Sequence, residues 1–308
     1  MLQLETSTAY VRDGFVPFKE ANLSIASSPV LYGLTMYTVF SINWNAAQQK
    51  LFIFRLRDHY DRLVNSAKIM DFHSFATAWP YERFSETMHE LLRRNVVQED
   101  VLVRVAVFVD ELAAGTRIHG LTNSLSAYVY TMGQILNPDG VHACVSSWVR
   151  TPDNAIPSRA KLNGSYINAS LMKNEALLNG YDEAIALDSH GHVTEGTVAN
   201  IFIVRGGKLI TPDAATDLLE GITRSSVLSM AADLGIATEQ RNIDRSELYV
   251  ADEAFFCGSS ARITPILSVD KRPLGNGKPG SLTQELAKLY SQMQHAEIAD
   301  KYHWLTVC

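Results

Sequence analysis

The sequence predicts an α+β protein of two domains, with the boundary near Tyr130. Three observations lead there. Up to that point, segments with apolar residues three and four apart are followed by one segment of β-branched residues that alternates two sets of side chains. Beyond it, short apolar runs separated by glycine-bearing turns outnumber the helical segments. The boundary is placed between the loop-like Ala113–Asn123 and the short apolar stretch Tyr128–Asn137, which Asn137-Pro138-Asp139-Gly140, a strong turn signal, closes. The expected ranges are therefore 1–130 for a smaller α+β domain and 131–308 for a larger one, and 308 residues are enough to give each a core.

In chain order, Asp58 to Met70 is expected to be a helix, with Tyr60, Leu63, Val64, Ala67 and Met70 at helical spacing and Asp58 as its cap. Tyr81 to Asn95 repeats the pattern through Phe84, Met88, Leu91 and Leu92. Val101 to Val109 reads as a strand, and Ala113 to Asn123 as a loop punctuated by Gly115 and Gly120. Tyr128 to Asn137 is a short apolar stretch closed by the turn. Val141 to Val149 is a strand, and Asn168 to Asn179 a helix stopped by Gly180. Ala184–Leu187, Val193–Thr194, Asn200–Val204 and Leu209–Ile210 follow as short strands, the first pair joined through Ser189-His190-Gly191-His192. Thr223 to Leu234 is expected to be an amphipathic helix ended by Gly235, and Ala254 to Cys257 a further strand.

A net charge of −6 offers no basic footprint for nucleic acid. The first residues carry Glu5, Arg12 and Asp13 and lack the apolar core of a signal peptide. The most apolar run, Val101–Val109, is far too short to span a bilayer. Cys144, Cys257 and Cys308 are scattered and odd in number, which suggests neither a disulfide framework nor a metal site. A cytoplasmic protein without nucleic-acid or membrane partners is expected.

Several residues could carry chemistry. Arg104 shares a strand face with Leu102, Ala106 and Phe108, where a guanidinium needs an anion. That anion is either a ligand or a neighbouring Asp110 or Glu111 in a structural ion pair. Lys161 lies in a polar, glycine-containing loop between a strand and a helix, although a lone lysine is usually a solvated surface group. Glu195, followed by Gly196, reads either as a functional carboxylate or as a turn residue in water. Gly221-Ile222-Thr223-Arg224 opens a helix whose free amides suit an anion, or is simply an ordinary cap. Gly258-Ser259-Ser260 is a second small turn of the same kind.

The order and company of these residues say more than each alone. Lys161-Leu162-Asn163-Gly164-Ser165-Tyr166-Ile167-Asn168 resembles the lysine motif of the branched-chain amino-acid aminotransferase family. Gly180-Tyr181-Asp182-Glu183-Ala184, Thr194-Glu195-Gly196 with Asn200-Ile201-Phe202, Gly221-Ile222-Thr223-Arg224 and Gly258-Ser259-Ser260-Ala261 follow in the family's order. Upstream, Tyr32-Gly33 and Phe54-Arg55-Leu56-Arg57-Asp58-His59 through Arg62-Leu63 match as well. The likeness runs from about Ser24 to the C-terminus.

The resemblance implies a fold-type IV enzyme dependent on pyridoxal 5′-phosphate (PLP), with two domains and the active site between them. It implies that Lys161 holds the cofactor as a Schiff base and shuttles the proton of the substrate α-carbon. Glu195 would bond the pyridine nitrogen and Tyr166 the phenolic oxygen, while Arg62, Ile222, Thr223 and Ser259 would hold the phosphate. Tyr37, Arg104, Ser259 and Ser260 would meet the substrate. The implied reaction is ping-pong transfer of the amino group of a branched-chain L-amino acid to 2-oxoglutarate. The implied assembly is a homodimer or higher homo-oligomer, with Ala113–Leu125 as the loop that helps close a partner's pocket.

Three positions depart from the family pattern. Tyr37-Thr38-Val39 stands for Phe-Glu-Gly, Val198-Ala199 precedes Asn200 where Gly-Glu is usual, and Leu102 replaces a tyrosine. They leave Lys161 and Glu195 untouched and bear on the substrate side. A relative with a changed substrate therefore stays open, namely a D-amino-acid or R-amine transaminase or an aminodeoxychorismate-type lyase, as does a non-catalytic PLP-binding protein.

Overall fold

A computed structural model describes residues 2–113, 115–131, 133 and 135–308. Ala114 of the expected loop, Met132 and Gln134 of the expected stretch 128–137, and Met1 lie outside the described residues.

The elements used below run in chain order. Strands β1 (Thr8–Val11) and β2 (Gly14–Pro17) precede helix α1 (Ser28–Tyr32), β3 (Thr35–Asn45) and β4 (Lys50–Phe54). Helices α2 (Leu56–Ile69), α3 (Phe75–Ala78) and α4 (Tyr81–Arg94) lead to β5 (Val101–Val109) and β6 (Asn123–Thr131). Then come β7 (Val141–Val149), α5 (Tyr166–Leu178), β8 (Glu183–Leu187), β9 (Val193–Gly196), β10 (Asn200–Arg205) and β11 (Lys208–Thr211). The chain closes with α6 (Ile222–Asp233), β12 (Thr238–Gln240), α7 (Arg245–Leu248), β13 (Glu253–Gly258), β14 (Arg262–Val269), β15 (Arg272–Pro273), α8 (Ser281–Gln294) and β16 (Leu305–Val307).

These elements gather into two compact units. The first comprises Met1–Gly133, Ala160–Gly164 and Met293–Cys308, and the second Gln134–Arg159 and Ser165–Gln292. The chain thus passes from one unit to the other more than once, where the sequence reading makes a single cut near residue 130. The physical reason is local pairing. Tyr37 N donates to Lys161 O and Asn163 N to Thr35 O, both at 2.9 Å, so the short segment around Lys161 docks beside β3. Two glycines permit that approach. Gly33 has φ +69°, and a Cβ placed on it would lie 3.0 Å from Gly164 Cα.

The first unit is built on an antiparallel sheet in the order β16-β4-β3-β5-β6-β1-β2. β5 lies near its middle, and all five of its valines are buried on one face. α4 buries Phe84, Met88, Leu91 and Leu92, the residues its sequence spacing singles out. α2 begins at Leu56, earlier than the sequence suggests, because Arg55 at φ 55° breaks the strand there. Asp58 is inside the helix, where it accepts from Arg55 at 2.8 Å and does not cap it.

The second unit carries a mixed sheet in the order β12-β11-β10-β13-β14-β7-β8-β9, with β15 paired to β14 and β10 also meeting β9. β7 runs parallel to both β14 and β8. Its core joins Val141, Ala143, Ile185, Ile201, Ile203, Phe256 and Ile266. α6 forms where the sequence expects an amphipathic helix, but polar residues share its buried side. It buries Thr223, Arg224 and Ser226 together with Val227 and Met230, and Arg224 is satisfied by Pro212 O and Gln240 Oε1 at 2.9 Å each. No helix among the described residues is long and apolar enough to cross a membrane.

Candidate active site

The sequence-selected residues fall into two sets, one in each unit. In the first unit, Tyr37, Arg62, Arg104 and Lys161 come from β3, α2, β5 and the docked segment. Tyr37 is buried, and its ring is the centre of the group. The Arg104 guanidinium carbon lies 3.7 Å from the ring centroid and Lys161 Nζ lies 5.0 Å from it. Arg104 Nη2 also donates to Asn163 Oδ1 at 3.0 Å.

The ion pair open to Arg104 in the sequence does not form. Asp110 is taken by Arg12 at 2.8 Å, and Glu111 accepts from the Thr122 amide. Leu102, where the family carries tyrosine, is fully buried between Ser41 and Tyr130 in the sheet register.

Arg62 reaches back from α2 to β3, its Nη2 3.1 Å from Thr38 Oγ1. The same hydroxyl is 2.7 Å from His59 Nδ1. Burial, reinforced by the charges of Arg62, Arg55 and Lys161, holds the His59 pKa well below its usual value. The imidazole is therefore neutral at ordinary pH.

In the second unit Glu195 is not a solvated turn residue but the end of a buried strand, 6% exposed. Its two oxygens are held from opposite partners. Oε1 meets Arg150 Nη2 at 2.7 Å, while Oε2 accepts from Asn200 Nδ2 at 3.0 Å and from Leu219 N at 3.3 Å. A buried carboxylate so surrounded keeps its charge. Asn200 also donates to Leu219 O at 2.9 Å. Its carboxamide fills the space beside Gly221, where a Cβ would stand 1.9 Å from Asn200 Oδ1.

Gly221 caps α6, so the glycine that opens the helix also makes room for the group that orients Glu195. Ile222 and Thr223 form the first turn, both buried, and Thr223 Oγ1 is 3.3 Å from Tyr290 OH. Ser259 and Ser260 form the half-buried turn after Gly258 at the end of β13. Ala199 packs against that turn, 3.8 Å from where a Cβ on Gly258 would lie. Tyr166 opens α5 and lines a cavity of about 270 Å³ together with Lys173, Glu183, Thr197 and Val198.

Sequence reasoning missed Arg150, His59, Asn163 and Asn200 as parts of these groups, and it marked Thr38 only as a departure from the family pattern. Asn200 and His59 stand inside motifs the sequence shows, but their roles depend on partners brought in from other elements. Arg150 follows an apolar strand and carries no local signal at all.

The family model for amino-transferase class IV matches residues 36–269. A probable branched-chain-amino-acid aminotransferase of Aquifex aeolicus is 38% identical over 300 residues, covering 97% of this chain and 96% of that protein. The crystal structure of the branched-chain aminotransferase of Thermoproteus uzoniensis with norvaline superposes with a TM-score of 0.90 at 37% identity, over 98% of this chain and 99% of that one. The branched-chain amino acid aminotransferase of Thermobaculum terrenum in its PLP form gives a TM-score of 0.89 at 32% identity, over 99% of each chain.

Proposed function

The chain belongs to the class IV aminotransferases, which use PLP, and on that premise we propose that it transfers the amino group of a branched-chain L-amino acid to 2-oxoglutarate. Near-full-length likeness to branched-chain aminotransferases supports the substrate class. The observation that carries the cofactor reading is the caging of Glu195 by Arg150, Asn200 and the Leu219 amide. A carboxylate buried with its charge intact and its orientation fixed suits the protonated ring nitrogen of pyridoxal phosphate. The residues fit the group in other respects too. The first turn of α6 offers the amides of Ile222 and Thr223, and Ser259 adds a hydroxyl.

In this proposal Lys161 binds the cofactor, Glu195 and Tyr166 bond its ring, and Arg62, Ile222, Thr223 and Ser259 hold its phosphate. When bound, PLP supplies an electron sink for the charge that develops at the substrate α-carbon. Lys161 Nζ takes the α-proton and returns it, a task for an amine held in place. Tyr37, Arg104, Ser259 and Ser260 bind the substrate, with the Arg104 guanidinium held over the Tyr37 ring and bonded to Asn163. The two units are of equal length, where the sequence suggests a smaller and a larger domain, and in this proposal the second contributes most of the cofactor contacts.

The test is absorbance of the PLP-loaded protein with L-leucine, D-alanine and an R-amine added separately, alongside Lys161→Ala. The proposal expects L-leucine alone to bleach the visible band and Lys161→Ala to lose turnover. Bleaching by another donor would assign a changed substrate to the same fold, as the departures at Thr38, Ala199 and Leu102 allow. Undiminished turnover by Lys161→Ala would overturn the assignment. A homodimer or larger homo-oligomer working in the cytoplasm is part of the proposal, and the mass of the purified protein and cell fractionation decide it.

A further inference from the structure

We propose that Thr38 is a positioning residue for Arg62, a hydroxyl locked by His59 that fixes the guanidinium assigned above to the cofactor phosphate. The inference rests on that assignment.

Hydrogen-bond polarity carries it. Arg62 Nη2 stands 3.1 Å from Thr38 Oγ1, and a guanidinium only donates. The hydroxyl oxygen must therefore accept from Arg62. Its single proton is left to point elsewhere, and His59 Nδ1 waits at 2.7 Å. We assign His59 Nδ1 as the acceptor of that proton, which places the ring's own proton on Nε2. The imidazole is 2% exposed and packed against Phe40, with ring centroids 5.5 Å apart. Thr38 is fully buried, so no water competes for its oxygen.

The relay works in one direction only. A protonated His59 would present N–H at Nδ1 and could no longer accept the hydroxyl's proton, so it would not fix which way the hydroxyl points. The burial and the cluster of Arg62, Arg55 and Lys161 around the ring prevent that state.

The family pattern puts glutamate where this chain has Thr38. A carboxylate beside Arg62 would orient it and also cancel its charge. A hydroxyl orients the guanidinium without setting a negative charge beside it. Thr38 is then an alternative solution to the same positioning problem, and one built to favour the phosphorylated cofactor.

The experiment is titration of the apo-protein with PLP and, separately, with pyridoxal, which lacks the phosphate, followed by quenching of protein fluorescence. Thr38→Val keeps the shape and removes the hydroxyl. PLP binding is expected to weaken about tenfold, the size of one hydrogen bond to a charged group. Pyridoxal binding is expected to stay unchanged, and Thr38→Ser to restore PLP binding. His59→Leu, which frees the hydroxyl to rotate, is expected to act in the same selective way and stands in if Thr38→Val does not fold. Arg62→Met separates the two readings. If it leaves PLP affinity unchanged, the phosphate assignment of Arg62 is wrong. If it weakens PLP selectively while Thr38→Val and His59→Leu do not, Thr38 is not a positioning residue. Equal weakening of both ligands by Thr38→Val would make its role merely structural and also overturn the inference.

Discussion

Replacing Gly221 with alanine isolates how the Glu195 cage is held. The backbone at this position has φ −71° and ψ 135°, a conformation any residue adopts, so the substitution adds no backbone strain. Its whole effect is steric: the new Cβ would stand 1.9 Å from Asn200 Oδ1 and 3.1 Å from Asn200 Cγ. Asn200 must turn away and give up its bonds to Glu195 Oε2 at 3.0 Å and Leu219 O at 2.9 Å. The bond to a carboxylate is worth about 1.5–3 kcal/mol and the neutral one about 0.5–1.5 kcal/mol. Alanine returns about 0.4–1 kcal/mol by restricting the unfolded chain. A net destabilisation of about 1–4 kcal/mol follows, read as a lower midpoint in urea denaturation. The decisive comparison is a cycle with Asn200→Ala. With the carboxamide already gone, the same glycine substitution has room and is expected to be neutral or mildly stabilising. An unchanged midpoint for the single variant, or an equal loss in both backgrounds, would refute the steric coupling.

Two further outcomes check the surrounding structure. Glu247 is held below its usual range by the hydrogen bond from Arg241, with Arg205 adding to it. A depressed carboxyl contributes stability that is present above its ordinary pKa of 4.5 and is lost as pH falls through the lower folded value. Glu247→Gln is therefore expected to flatten the acid limb of the stability profile below pH 4.5, and an unaltered limb would sink the ion pair. Burial, then the charges of Asp270, Glu175 and Glu183, push the Cys144 thiol up to about 11. Iodoacetamide at about pH 8 is expected to label Cys144 only after unfolding. Rapid labelling of the native protein, mapped by mass spectrometry, would contradict its packing.

Local periodicity made much of the fold legible. Val101–Val109, with its β-branched run, and Val141–Val149 are strands with the bounds the sequence suggests, and α4 buries the four residues its spacing selects. β5 and α4 read well because each sets a regular row of apolar residues on a buried face. α6 has nearly the bounds the sequence suggests, but its buried side is not legible as such, because it carries Thr223, Arg224 and Ser226, polar residues that bond inside the protein. The grouping of Lys161 with the first unit is also invisible in sequence, since it depends on a pairing between Leu162 and Met36, far apart along the chain. The candidate residues were legible as ordered motifs, but their supports were not. Arg150 and Thr38 look like ordinary strand-end and strand residues until Glu195 and His59 are brought against them.

The three departures from the family pattern sort themselves by burial. Leu102 and Ala199 are 0% and 6% exposed, so a tyrosine hydroxyl or a glutamate carboxylate there would need a partner inside the protein. Apolar residues remove that requirement and replace a polar support by packing, Ala199 against the turn after β13 and Leu102 within the sheet. Thr38 is different. It is just as buried, yet keeps both of its hydrogen-bonding capacities in use. Two substitutions thus simplify the supporting shell, whereas the third rewires it. On the proposed function, substrate choice then falls to residues that still have surface to offer, Arg104 on Tyr37 and the turn Ser259–Ser260, and the altered shell acts on them only through the positions it allows.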